Sequence, residues 1–227
     1  MTLHIGMLLF PRLTQLDLTG PFEVLHRLPD AVMHLVWKDT DLVQATSGLA
    51  IKPTTTMADA PPLDVLVVPG GYGQIDLTND DEVLSFLSAQ GRSARYVTAV
   101  CTGSLLLGAA GLLDGYDATT HWAYLEFLSA FGARPVRQRI VVDRNRITAG
   151  GVTAGIDFGL RLLAELGGEA LARAVQLTLE YDPAPPFQSG HPDVADPALV
   201  ARVRDRMAEP LAGERAQIER WKARRAS

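Results

Sequence analysis

The sequence is poor in cysteine. Cys101 is the only one in 227 residues, beside five histidines. A single thiol excludes an intrachain disulfide framework, and no Cys/His group has zinc-ligand spacing. Long apolar runs are also missing, and none approaches the ~18 residues that a membrane-spanning helix needs. The start, Met1-Thr2-Leu3-His4-Ile5-Gly6, lacks the basic segment and apolar stretch of a secretory signal. Positive charge is not in excess, with 21 Lys and Arg against 26 Asp and Glu. That balance argues against nucleic acid as the main partner. A cytoplasmic protein that binds neither membrane nor metal is the expectation.

What remains is ordinary globular material, 47% hydrophobic and 21% charged, long enough for one large core. Apolar runs at 5–10 and 65–68 predict strands buried on both faces, as in a parallel sheet, and 34–37 and the β-branched run 96–100 read as further strands. Residues 140–148 read as a hairpin turning at Arg144-Asn145, and 46–49 as a turn in an excursion off the sheet. Helices are expected over 16–25, 80–87, 105–110, a stretch ending at 131, 156–166 and 170–181. Pro21 should sit in a first turn, with Asp17 or Thr19 as cap. The alternation predicts an α/β fold with a mostly parallel sheet sandwiched between helices. Ligands in such folds bind beyond the carboxyl ends of the strands.

The run Tyr96-Val97-Thr98-Ala99-Val100-Cys101-Thr102-Gly103-Ser104 has the form of a nucleophile elbow, a strand turning sharply into a helix at a reactive side chain. Cysteine stands where the best-known version has serine. A helix N-terminus offers unpaired N–H groups and partial positive charge, so the thiol pKa is expected below its free value of roughly 8.5. A buried free cysteine is otherwise a small hydrophobe. Asp17 follows the first strand, Gly70-Gly71 the third and Cys101 the fourth, which puts all three at one end of the sheet. Asp17 is either a plain helix cap or a carboxyl whose pKa is raised beside a thiolate, so that it donates a proton. Thr102 bonds Asp17 or substrate, or fills the turn. The N–H groups of Gly71 and Thr102 are candidate donors to developing negative charge, and Gly70 belongs to the same glycine turn. His121 is a candidate lining residue. No histidine adjoins Cys101, so no local Cys–His dyad is visible.

These motifs resemble the ThiJ/PfpI superfamily: Val65 to Gly71, Ala99 to Ser104, Gly111-Leu112-Leu113-Asp114-Gly115 and Ala118-Thr119-Thr120-His121-Trp122. The stretches Gln15 to Pro21, Gly150 to Phe158 and Glu180 to Phe187 point to its isonitrile hydratase branch. Many members carry glutamate at the position of Asp17, and the protease-like ones carry histidine at that of Thr102. The resemblance implies a flavodoxin-like, class I glutamine amidotransferase-like architecture and a homodimer with no metal or organic cofactor. It implies Cys101, Asp17 and Thr102 as catalytic residues, with Gly70, Gly71, Thr102, His121 and Gly150 lining a substrate or oxyanion site. The substrate would be a small isocyanide, hydrated to a formamide through a Cys101 thioimidate with Asp17 as acid. Other cysteine-dependent chemistry, a redox sensor and a ligand-binding regulator are the competing readings.

The α/β domain is expected over 1–187 and a helical extension over 188–227, packed on that domain or on a dimer. Residues 201–227 hold eight Lys and Arg against four Asp and Glu, which reads as a solvated amphipathic helix rather than an anion-binding arm.

Overall fold

Apolar runs without alternation form a sheet covered on both faces. The structure, a computed structural model, describes residues 2–226. Its main sheet has seven strands: β1 (Leu3–Leu8), β2 (Ala31–Trp37), β3 (Thr55–Thr56), β4 (Val65–Val68), β5 (Tyr96–Val100), β6 (Ile140–Asp143) and β7 (Arg146–Ala149). Their order is β6-β7-β5-β4-β1-β2-β3. Every neighbouring pair is parallel except the β6–β7 hairpin, which turns at Arg144 with φ 54°. The excursion at 43–51 forms a separate small antiparallel pair.

The helices are α1 (Gln15–Leu25), α2 (Asp81–Ser93), α3 (Gly103–Ala109), α4 (Ala154–Gly167), α5 (Glu169–Thr178), α6 (Pro197–Arg206) and α7 (Ala208–Ala226). A single turn, Gln74–Leu77, precedes α2. The expected helix ending at 131 is a 3₁₀ helix, Trp122–Phe131, closed by left-handed Gly132. Helices α1, α4 and α5 pack together, as do α2, α3, the 3₁₀ helix and α7. The fold is α/β and flavodoxin-like, as expected.

From β1 the chain builds outward through β2 to β3. It then returns to the other side of β1 with β4 and builds toward β7. The sheet direction therefore switches between β1 and β4, where a crevice opens beyond the strand ends. Asp17 follows β1 and Gly70 follows β4, so the switch brings them together.

Two local expectations need correction. Pro21 lies well inside α1, which begins at Gln15 after an N-cap at Thr14. An interior proline removes one helical N–H bond. Here its ring packs on α4 at glycines: a Cβ on Gly155 would come within 3.1 Å of Pro21 Cδ. Asp17 is not a cap either, because it sits within the first turn and its side chain points to Gly70.

The C-terminal helices are not merely solvated. Ile218 and Glu214 of α7 are buried. The Trp221 indole N–H donates to the Ala109 carbonyl at 3.1 Å, and its ring meets Phe131 edge-on at 4.9 Å. Arg224 grips both carboxylate oxygens of Asp81 at 2.6 and 2.7 Å.

Trp221→Ala removes a hydrogen bond and a large aromatic contact and should lower unfolding free energy by about 1–3 kcal/mol. Trp221→Phe keeps the ring contact and should cost less. Urea denaturation of the two variants measures the difference.

Candidate active site

Cys101 ends β5 with φ 56°, a left-handed conformation that a cysteine adopts only when its surroundings hold it there. Four hydrogen bonds do so. Its N–H is shared between the Ala149 and Gly150 carbonyls, each at 3.0 Å. Its carbonyl accepts from Thr120 Oγ1 at 2.8 Å and Ser104 Oγ at 3.0 Å. Gly103 then admits the turn, because a Cβ there would strike the Val68 carbonyl oxygen. Cys101 is 6% exposed.

Asp17 is fully buried. Its Oδ2 accepts the Gly70 N–H at 3.0 Å. Its Oδ1 has no hydrogen-bond partner among the described residues, and the carboxyl and the Cys101 thiol influence each other's proton affinity. Burial pushes the Asp17 pKa from 3.8 up to about 7, against the opposing pull of the Gly70 N–H and the thiol. Cys101 is pushed well above its ordinary value, by burial first and by the Asp17 charge second, while the N–H groups of Thr102 and Val152 pull it down. The lowered thiol pKa expected from the helix N-terminus is thus overturned. Two N–H groups do not outweigh desolvation and an adjacent carboxylate. The raised Asp17 follows the expected direction, but the cause is dryness, and the neighbouring thiol opposes it.

A pocket of about 130 Å³ reaches Cys101 and Thr102, lined also by Gly71, His121 and Tyr124. Thr102 Oγ1 accepts the Gly71 N–H at 3.1 Å, so this hydroxyl fixes the glycine turn rather than bonding Asp17. His121 Nδ1 accepts the Ala123 N–H at 3.3 Å, which puts the ring proton on Nε2. Burial lowers its pKa to about 4, leaving the ring neutral near pH 7. The Gly71 N–H, a candidate donor to developing charge, is committed to Thr102 Oγ1, and the N–H groups of Gly70 and Gly150, expected to line the site, are also engaged. The Gly70 N–H is committed to Asp17, and the Gly150 N–H to the Arg139 carbonyl at 2.9 Å. Gly150 instead supports the Cys101 backbone from below.

Sequence reasoning missed Val152, whose N–H reaches the thiol. Its φ of 32° is a strained value for a β-branched residue. It also missed Thr120, which bonds the Cys101 carbonyl, and the pocket residues Tyr72, Gln74, Tyr124 and, from the C-terminal extension, Met207. The run of glycines ahead of Val152 was the one signal of tight backbone there. Nothing local ties Met207 to a site more than a hundred residues earlier.

A carboxyl and a thiol that share one dry crevice behind a strained elbow can move a proton and form a covalent bond to carbon. The model for the DJ-1/PfpI family matches residues 4–165. The chain belongs to the DJ-1/PfpI family. Among its relatives, isonitrile hydratase of Pseudomonas putida is 57% identical over 211 residues, covering 93% of this chain and 92% of that protein. The HTH-type transcriptional regulator GbdR of Pseudomonas aeruginosa (strain UCBPP-PA14) is 36% identical over 186 residues, and the match spans 78% of this chain but 50% of the regulator. A crystal structure of a ThiJ/PfpI family protein from Pseudomonas syringae superposes with a TM-score of 0.94 at 44% identity, covering 96% of this chain and 91% of that one. The resemblance read from the motifs is borne out.

Folded Asp17 titrates near 7 and the unfolded group near 3.8, so the native chain holds the extra proton between these values. Stability from this group therefore falls as pH rises from about 4 through 7. Asp17→Asn should be more stable than the wild type at pH 8, by up to ~4 kcal/mol, and the gain should vanish near pH 4. Thermal unfolding at the two pH values checks the sign.

Proposed function

We propose that this chain is an isonitrile hydratase, a hydro-lyase that adds water to a small isocyanide and releases an N-substituted formamide. The observation that carries the reading is a buried carboxyl coupled to a buried thiol, in a chain alike over nearly its whole length to the P. putida hydratase. The terminal carbon of R–N≡C accepts a proton and then a nucleophile. As the thiol yields its proton to Asp17, sulfur bonds to that carbon and Asp17 passes the proton on to it. The product is a thioimidate, Cys101–S–CH=N–R. The N–H groups of Thr102 and Val152 steady charge on sulfur as it forms. Water then adds to the CH carbon, nitrogen takes one of its protons, and sulfur leaves with the other. No electrons change hands, so the stoichiometry asks for no redox group.

The same reading treats the extension after residue 187 as part of the catalytic unit and the protein as a cytoplasmic homodimer. The pocket's modest volume and its Ile75, Val152 and Met207 walls favour small alkyl groups. Two features weigh against the alternatives. A deeply buried thiol with a raised pKa is a poor oxidation sensor. The helices after residue 187 bury Ile218 and engage Trp221 with the α/β core, which favours a structural role over that of a DNA reader.

Wild-type protein given a simple alkyl isocyanide should release the formamide, followed by mass spectrometry or infrared loss of the N≡C band. Cys101→Ala should yield none. Asp17→Asn should lose roughly 10²–10⁴-fold in kcat/KM while keeping the fold. Lack of turnover of every isocyanide by the wild type would sink the reading.

A further inference from the structure

The groups given the chemistry and the groups that shape the pocket come from different parts of the chain. Asp17, Cys101, Thr102 and Val152 all lie within residues 4–165, the span matched by the DJ-1/PfpI family. Met207 lies beyond that span and still lines the pocket at Cys101. It sits at the joint between α6 and α7. There its N–H donates to the Arg204 carbonyl and its own carbonyl accepts the Leu211 N–H, each at 3.0 Å. The side chain is half-buried and packs against the core. Both arms of the joint are held down. Arg204 of α6 lies over the Trp122 ring at 5.5 Å. On α7, Asn79 Nδ2 donates to the side-chain oxygen of Gln217 at 2.9 Å and to its backbone carbonyl at 3.1 Å. Helix α7 also backs a second apolar wall. Ile75 lines the same pocket, and a Cβ added to Gly213 would meet Ile75 Cγ2 at 3.8 Å and Cδ1 at 3.9 Å.

With its terminal carbon at sulfur, the linear R–N≡C group points R away from Cys101 and toward the walls. An alkyl R is apolar, and the aliphatic side chains of the lining are Ile75, Val152 and Met207. Val152 is tied to sulfur through its N–H. Ile75 and Met207 have no part in the proposed chemistry, so their bulk acts on R alone. We propose that the C-terminal extension selects the substrate, with Met207 the specificity-determining residue that limits the bulk of R. Gly213 fixes how far Ile75 can retreat. This inference rests on the hydratase reading and assigns its choice of isocyanide to a segment outside the family span. A pocket of about 130 Å³ leaves little slack around R. Methionine is unbranched and adaptable, so the wall it makes yields to a linear chain more readily than to a substituent branched beside nitrogen. The favoured class is therefore unbranched alkyl isocyanides.

The test compares kcat/KM for n-butyl and tert-butyl isocyanide, which have the same number of carbons and differ in branching. Met207→Ala should raise the ratio of tert-butyl to n-butyl about tenfold, the low end of what one methylene in a pocket discriminates. Met207→Phe, which thickens the wall and removes methionine's freedom, should lower the ratio. Loss of packing alone would slow both substrates together and leave the ratio where it was. Gly213→Leu sets a good helix former behind Ile75 and should also lower the ratio; it serves if the Met207 variants do not fold. A ratio within about twofold of wild type in the folded variants overturns the proposal and leaves the hydratase reading intact. So does a ratio that moves the same way in Met207→Ala and Met207→Phe. No formamide from the wild type with any isocyanide overturns both.

Discussion

The molecule depends on one unfavourable contact, a carboxyl group and a thiol confined to the same dry crevice. Neither Asp17 nor Cys101 ionises easily there, and ionising one makes the other harder to ionise. Near neutrality the thiol therefore keeps its proton while Asp17 stands between its two protonation states. That condition suits addition across a carbon that must gain a proton and a nucleophile together. It suits peptide cleavage less, since Thr102 stands beside the nucleophile and the nearby His121 is held neutral by burial.

The rest of the fold serves to impose this contact. The switch between β1 and β4 delivers Asp17 and Gly70 to one point, where a single N–H bond orients the carboxyl. Residues Cys101 and Val152 both take positive φ, at a cost of order 1–3 kcal/mol each. The strain persists because the strands on either side are buried and the Cys101 backbone is tied to Ala149, Gly150, Thr120 and Ser104. A chain free to relax at either residue would swing the thiol or its N–H donors out of line. The C-terminal extension completes the enclosure by setting Met207 against the pocket and Glu214 behind Gln74.

Much of this was legible in the sequence. Runs such as Val65–Val68 and Tyr96–Val100 lack alternation because both faces are covered, and that property fixed their place in a parallel sheet. The elbow was readable because strand, nucleophile and helix-starting glycine are contiguous. What escaped was tertiary. Pro21 looked like a helix start because local rules price the lost N–H bond and ignore the glycines on α4 that receive the ring. The thiol pKa was misjudged because a helix N-terminus is visible in sequence and desolvation is not. The Gly71 N–H was read as a donor to developing charge, yet the structure spends it on Thr102 Oγ1 within the turn. The C-terminal tail looked solvated by composition, since its few buried side chains, Glu214 among them, are outnumbered by charges that do reach water.

The central claim is that Asp17 shares a proton with its surroundings near neutrality. Infrared difference spectroscopy on protein with isotope-labelled aspartate, with Asp17→Asn as the subtraction reference, reads its carboxyl stretch directly. The account predicts a protonated band at pH 5 that fades with a midpoint near 7. A midpoint near the ordinary value of 3.8 would contradict it.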